Sequence, residues 1–274
     1  MNQPTYNPAV FKEFELAGWE EISKTYRETS EKITGQVAAA LLDAAAVKRA
    51  TRLLDVACGT GMVAAEAHRR GAEVLGVDFS AGMVAEAFGH RPEIPFRQAD
   101  AEALPLDDES FDAVVCAFGI LHFSRPNVAI REAFRVLAPG GRLAFTAWAP
   151  ADRSPFFGLV MQVVAAHGVL NSTMPAGPPE NFGDPETCRE VLHGAGFANA
   201  EISEIPVQFA AGDGAEVIEA MSKGSVRGKA LLETQTPEAR EKIGQAIFEG
   251  ARAFLKNGRI AVPMPAVLAR AHKP

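Results

Sequence analysis

A buried strand that runs directly into a glycine-rich turn is the feature that most constrains this chain. Residues 53–61 read Leu-Leu-Asp-Val-Ala-Cys-Gly-Thr-Gly, and a helical stretch follows them. Glycines in such a turn let the backbone approach a ligand closely and present its N–H groups. The same pattern is also typical of a tight strand-to-helix turn that binds nothing. The segment therefore predicts a strand–turn–helix unit, with ligand binding as one of two interpretations.

Short apolar runs and helical stretches alternate around this turn. The predicted strands are Arg52–Ala57, Glu73–Val77, Ile94–Ala99, Ala113–Ala117 and Arg142–Trp148. The predicted helices between them are Met62–Arg70, Ala81–Phe88 and Asn127–Leu137. Strands that alternate with helices of about ten residues require right-handed crossovers and a parallel sheet. We therefore predict a doubly wound α/β domain.

Helical patterns flank this alternation on both sides. Apolar residues recur at three- and four-residue intervals between Phe11 and Tyr26, which indicates a helix with one apolar face. Further helices are expected at Ser30–Lys48, at Phe156–Val169, from Asp184 to Gly194, and twice within residues 213–257. Two more strands are expected at Ala200–Phe209 and Arg259–Ala269. Pro263 and Pro265 favour an edge position for the last strand, because proline has no N–H to donate.

The charge balance argues against nucleic acid and anionic membranes as partners. The chain has 27 Lys and Arg against 34 Asp and Glu, a net charge of −7. Proteins that bind such partners usually carry a basic surface. No apolar run approaches the ~20 residues of a membrane span, and the first residues lack the pattern of a secretory signal. We expect a cytoplasmic protein with a small-molecule partner, no nucleic acid partner and no stable membrane anchor.

The cysteines and histidines do not indicate a metal site. Cys58, Cys116 and Cys188 include no pair at CxxC spacing, and no two of the six histidines have metal-site spacing. We therefore expect neither a disulfide framework nor a bound metal.

Two nucleotide interpretations compete for the glycine turn. Residues 59–64 fit the dinucleotide fingerprint G-x-G-x-x-A, with Asp78 about 20 residues further on. Asp55, however, ends the first strand just before the turn, where its carboxylate would repel a pyrophosphate and attract an ammonium group. This acid favours a zwitterionic nucleotide without phosphate, which is S-adenosylmethionine (SAM). An NAD(P)-dependent oxidoreductase is the alternative.

Five segments resemble, in order, the motifs of the class I SAM-dependent methyltransferases. They are residues 53–61, 77–80, 98–106, 111–119 and 135–143. The group that they resemble most contains the ubiquinone/menaquinone-biosynthesis-like methyltransferases and their small-molecule relatives. The resemblance implies a Rossmann-like, doubly wound and mostly parallel seven-stranded sheet with an antiparallel last strand, plus helical cap elements. It implies one methyltransferase domain over residues 1–274, with a SAM-binding core at 51–150, 184–209 and 259–270 and cap or lid elements at 1–50, 151–183 and 210–258.

The resemblance also implies a set of cofactor contacts. Asp78 is expected to accept hydrogen bonds from both ribose hydroxyls and Asp100 one from the adenine amino group, while Phe79 and Met83 lie against the adenine. Further contacts are expected from Trp19, Tyr26, Asp55, Ala57, Gly59, Gly61, Ala101 and Ala117. The alternative roles are a helix cap for Asp78, an ordinary loop residue for Asp100 and core packing for the apolar side chains. Ala57 stands where the family has glycine, and we expect its φ to be negative.

His122 is the candidate general base, because it follows the predicted fourth strand near the expected methyl group. A base is needed only if the acceptor carries a proton in its reactive form, and a packed neutral histidine is the alternative.

The wall of the acceptor pocket is expected to contain Phe156, Phe157, Met161, Phe182, Met221 and Phe248. We predict in-line methyl transfer from SAM to a small, largely apolar or aromatic molecule, with S-adenosylhomocysteine as product. A non-catalytic SAM-binding protein is a further alternative.

Overall fold

The computed structural model describes residues 6–170, 174–256 and 258–274. The strands are β1 (Arg52–Val56), β2 (Glu73–Asp78), β3 (Phe96–Gln98), β4 (Phe111–Ala117), β5 (Leu137–Trp148), β6 (Ala198–Ile205), β7 (Gln208–Phe209), β8 (Leu255–Lys256), β9 (Arg259–Ile260), β10 (Val262–Pro263) and β11 (Ala266–His272). The helices are α1 (Pro8–Thr29), α2 (Glu31–Thr34), α3 (Ala38–Ala44), α4 (Met62–Arg69), α5 (Ala81–His90), α6 (Pro126–Val136), α7 (Pro155–His167), α8 (Pro185–Gly194), α9 (Gly214–Gly224), α10 (Val226–Glu233) and α11 (Pro237–Ala251). Short 3₁₀ turns lie at Gly35–Val37, Gly119–His122 and Arg252–Phe254.

A seven-stranded sheet in the order β3-β2-β1-β4-β5-β11-β6 forms the centre of the molecule. Its first five strands pair in parallel, whereas β11 is antiparallel to both β5 and β6. The predicted doubly wound sheet with an antiparallel last strand is therefore confirmed. The strand order reverses between β1 and β4, and open α/β sheets place ligands at the carboxyl ends of the strands at such a point.

Both faces of the sheet are covered by helices. Leu41 of α3 and Val63 of α4 pack on one face, and Ile130 of α6 and Leu192 of α8 pack on the other. Central strands buried on two sides read as continuous apolar runs, which is the pattern of β1 and β4. The glycine turn after β1 is thus held on a rigid scaffold.

The position predicted for the last strand is wrong. Residues 266–272 form β11, which lies between β5 and β6 and not at an edge. Pro263 and Pro265 precede it, so their missing N–H groups do not interrupt its ladder. Pro263 instead pairs with Gln208 in a separate two-stranded sheet.

The elements around the core also differ in detail from the predictions. The helix predicted at residues 30–48 is divided into α2, a 3₁₀ turn and α3, and the region 213–257 holds three helices, α9, α10 and α11. The third helix was missed because Ser225, in an extended conformation, ends α9 and caps α10 by accepting a hydrogen bond from the Gly228 N–H. The strand predicted at 200–209 is divided into β6 and β7 near Pro206. Within the described ranges, none of the helices combines the length and apolar character needed to cross a membrane.

Candidate active site

The glycine turn after β1 uses left-handed backbone at three positions. The φ angles are 54° at Ala57, 54° at Gly59 and 85° at Gly61. The expectation of a negative φ at Ala57 is therefore wrong: the turn imposes a conformation here that glycine adopts without strain and alanine does not. A Cβ built on Gly59 would meet only the Tyr26 ring, at 4.0 Å, so the turn is open on that side.

Replacing Ala57 by glycine should stabilise the protein, because it relieves this strain. A non-glycine residue in left-handed backbone costs the folded state roughly 1–2 kcal/mol, which glycine avoids. Glycine also raises the entropy of the unfolded chain, and this offsets part of the gain in stability. We expect Ala57→Gly to raise the free energy of unfolding by about 1 kcal/mol in urea denaturation. Ala65→Gly, in the interior of α4, is the control and should lower it by about as much. Destabilisation by both substitutions would contradict this account of the turn.

Asp78 ends β2 directly opposite the glycine turn. Its Oδ2 accepts a hydrogen bond from the Gly59 N–H at 2.9 Å, and its Oδ1 accepts one from the Ser80 N–H at 2.9 Å. Each oxygen keeps a lone pair that can accept from a ligand. Burial raises the pKa of Asp78 to about 6, although these two N–H groups lower it in part. The carboxylate is thus fixed in place and only partly stabilised by the protein.

Asp55 is a carboxylate buried beside the glycine turn. It is 1% exposed, and neither of its side-chain oxygens meets the distance and angle of a hydrogen bond to a described residue. Burial raises the pKa of Asp55 to about 8; the nearby Ala64 N–H lowers it in part, and the negative charge of Asp78 raises it further. It lines a small cavity of about 40 Å³ beneath the turn, together with Tyr26, Glu31 and Thr60. An unpaired buried acid beside an open space is suited to a cationic ligand group.

These two raised pKa values predict an unusual dependence of stability on pH. Between about pH 4 and 8 the folded chain holds protons that the unfolded chain has released, so the free energy of unfolding falls as pH rises. Carboxylates with a lowered pKa, such as Glu66 and Asp112, make the free energy of unfolding rise with pH, but only below about pH 5. At about 1.4 kcal/mol per pH unit, we expect a loss of about 3 kcal/mol between pH 5.5 and 8 in urea unfolding. Asp55→Asn should remove most of this loss, and an equal loss in the variant would refute the assignment.

A cavity of about 400 Å³ lies above the carboxyl ends of the strands. Most of the residues predicted to bind cofactor line it: Trp19, Tyr26, Ala57, Gly59, Asp78, Phe79, Met83, Asp100, Ala101 and Ala117. His122 lines it as well. Gly61 lines neither cavity; a Cβ there would lie 2.7 Å from the Phe96 ring, so this glycine allows the turn to pack. Asp55 reaches only the small adjoining cavity.

The opposite wall of the same cavity is apolar and comes from both the sheet side and the surrounding helices. It contains Phe118, Trp148, Phe156, Phe157, Val160, Met161, Met174, Phe209, Met221, Leu231 and Met264. Phe118 stacks on Trp148 with their ring centroids 3.8 Å apart. Two of the residues predicted for this wall lie elsewhere: Phe182 packs against Phe145 in the core of the sheet, and Phe248 packs in the core of the cap.

Helix α1 covers the cavity and brings charged groups that sequence reasoning missed. Lys12 forms an ion pair with Asp100, and the Trp19 ring lies edge-on to the Tyr26 ring at 5.6 Å and to the His122 ring at 4.9 Å. Glu15 is fully buried, and its Oε2 lies 2.8 Å from Nδ1 of His122. The spacing of Glu15 could have indicated that it is buried. It falls four residues after Phe11 and seven before Ile22, on the apolar face of the helix.

Known proteins share this fold and sequence pattern. A family model described as a methyltransferase domain matches residues 54–145. The chain is 37% identical over 174 residues to the demethylmenaquinone methyltransferase of Thermus thermophilus, a match covering 57% of this chain and 79% of that protein. It is 41% identical over 117 residues to the enzyme of that name from Beutenbergia cavernae, a match covering 43% of this chain and about half (49%) of the relative. The crystal structure of the YcgJ protein from Bacillus subtilis superposes with a TM-score of 0.56 at 22% identity, over 87% of this chain and 98% of that one, which shows the fold alone.

Proposed function

The chain belongs to the class I SAM-dependent methyltransferases of the ubiquinone/menaquinone type, and we propose that it methylates a small, largely apolar aromatic acceptor such as a quinol. One observation carries this proposal. A single cavity of about 400 Å³ joins the polar end, with Asp78 and Asp100, to an apolar wall of aromatic and methionine side chains. Such a cavity can hold a polar donor and an apolar acceptor side by side.

The donor end fits SAM on the properties of its own residues. Asp78 has a free lone pair on each oxygen for the two hydroxyls of a ribose, and Phe79 and Met83 offer apolar surface to an adenine. The unpaired oxygens of Asp55, in the small cavity beneath the turn, suit the ammonium of the methionine end. SAM, when bound, supplies a methyl group on a positively charged sulfonium.

The acceptor end favours an aromatic ring with an apolar substituent. The stacked pair of Phe118 and Trp148 offers a flat surface, and Met161, Met221 and Met264 offer flexible, polarisable ones. The relatives from Thermus thermophilus and Beutenbergia cavernae are named demethylmenaquinone methyltransferases, which supports a quinol-like acceptor here.

The residues of this chain then need to align and desolvate the two reactants more than to activate them. Transfer from a sulfonium is an in-line displacement, so proximity and exclusion of water supply most of the acceleration. Trp19 and Tyr26 of α1 close one side of the cavity. His122 lines the cavity, and in this proposal it accepts the proton that a hydroxyl or an activated ring carbon loses during transfer.

The direct test is methyl transfer from labelled SAM to a panel of acceptors. We expect label in a reduced naphthoquinone or another apolar phenol, and none in small hydrophilic amines or in transfer RNA. The apolar wall provides the control: Phe157→Asp should abolish labelling of the apolar acceptor while S-adenosylhomocysteine still binds. Binding of the donor with no transfer to any acceptor would indicate a non-catalytic SAM-binding protein.

A further inference from the structure

A buried carboxylate connects the candidate base to two elements of the cap. Glu15 of α1 has no exposed surface. Its Oε2 lies 2.8 Å from Nδ1 of His122, and its Oε1 lies 3.3 Å from Nε of Arg227 on α10. The two oxygens of one carboxylate thus face two different cationic or proton-donating groups.

Helix packing alone does not explain this acid. The neighbouring positions on the same face, Phe11 and Ile22, are buried apolar residues, and a leucine at position 15 would suit that face. A buried carboxylate carries a large desolvation cost that only well-placed partners offset. Burying an ion pair is often no more stabilising than burying apolar side chains of the same volume. The arrangement therefore points to a role beyond stability.

We propose that Glu15 is a positioning residue that orients His122 as the general base, an inference that rests on the proposed methyl transfer. Its carboxylate accepts the Nδ1–H of His122, which leaves the lone pair on Nε2 for the acceptor. Nε2 has no protein partner among the described residues, and the ring lines the cavity. The edge-on contact with Trp19, at 4.9 Å, fixes the plane of the ring.

Nε2 of His122 takes the proton of an acceptor O–H or C–H while the electron pair of that atom forms the bond to the methyl carbon. The methyl–sulfur bond breaks, and its electron pair stays on sulfur. The imidazolium that results is stabilised by the negative charge of Glu15 and then returns its proton to solvent.

Arg227 has a separate part in the arrangement. Its Nε lies 3.3 Å from the second oxygen of Glu15, an ion-pair contact that lacks hydrogen-bond geometry. The guanidinium also lies over the Phe11 ring at 5.2 Å and lines the cavity. Glu15, His122 and Arg227 come from α1, from the turn after β4 and from α10. The base is therefore correctly oriented only when both cap helices are packed on the core.

The test compares Glu15→Gln with Glu13→Gln, which removes an exposed acid from the same helix. We expect Glu15→Gln to lower kcat by about 100-fold, within the range for groups that orient a catalytic residue, while KM and S-adenosylhomocysteine affinity change less than about threefold. Glu13→Gln should match the wild type. A Glu15→Gln variant that binds S-adenosylhomocysteine normally and keeps kcat within threefold of the wild type would overturn the proposal.

A spectroscopic measurement tests the same orientation without turnover. Nitrogen-15 NMR of histidine-labelled protein above pH 8, with His122→Gln to assign the signal, reports which ring nitrogen carries the proton. We expect the Nδ1–H form in the wild type and a changed population in Glu15→Gln. An Nε2–H form in the wild type would overturn the positioning role, whereas failure of methyl transfer with the Nδ1–H form intact would count against the proposed function instead.

Discussion

Substituting His122 by glutamine should lower the rate of methyl transfer by roughly 10²–10⁴-fold, the usual contribution of a positioned general base. The side chain lines the cavity and is held by Glu15 at 2.8 Å, so the loss should appear in kcat and leave donor affinity unchanged. His193→Gln, an exposed position in the last turn of α8, is the matched control and should leave the rate unchanged.

The size of this effect separates two mechanisms. If the acceptor ionises without help, proximity alone is sufficient, and His122→Gln should change the rate less than about tenfold. A variant with full activity on a true acceptor would mean that His122 packs the turn and takes no part in proton transfer.

Substituting Asp78 by alanine should weaken cofactor binding by about 2–3 kcal/mol, the magnitude for hydrogen bonds to a charged group. This corresponds to about 30- to 150-fold in Kd for S-adenosylhomocysteine, at 1.4 kcal/mol for each factor of ten. The substitution also removes the acceptor of the Gly59 and Ser80 N–H groups, so affinity is measured at a temperature where the variant is shown to be folded.

The control for this measurement is Asp152→Ala, at an exposed position after β5. It should bind S-adenosylhomocysteine like the wild type. Near-wild-type binding by Asp78→Ala would refute the assignment of this carboxylate to the ribose hydroxyls.

Local patterns predicted the parts of this molecule that local interactions determine. The buried strand before the glycine turn, and the acids Asp55 and Asp78 at consecutive strand ends, followed from period and spacing along the chain. Once the parallel sheet was inferred, topology brought these strand ends to one edge. The residues at the polar end of the cavity could therefore be predicted from the sequence.

Contacts between distant segments were not accessible in this way. Glu15 and His122 lie 107 residues apart, and no local pattern indicates that they meet. Phe156 and Phe182 are equally apolar, yet only the first lines the cavity, because the packing of the cap decides which face is inward. The strand at 266–272 lies inside the sheet because it pairs with β5 along one edge and with β6 along the other, which prolines outside the strand could not indicate. At Ala57 the turn overrides the residue's own backbone preference.

The central claim is that the turn after β1 binds a SAM-type nucleotide and not a dinucleotide. Isothermal titration calorimetry of the whole chain with S-adenosylhomocysteine, and separately with NADH, tests it most directly. We predict that at pH 9, where Asp55 is ionised, S-adenosylhomocysteine binds saturably at one site per chain and NADH shows no measurable binding, because the negative charge of Asp55 beneath the turn disfavours a pyrophosphate. Tight binding of NADH without binding of S-adenosylhomocysteine would contradict the claim.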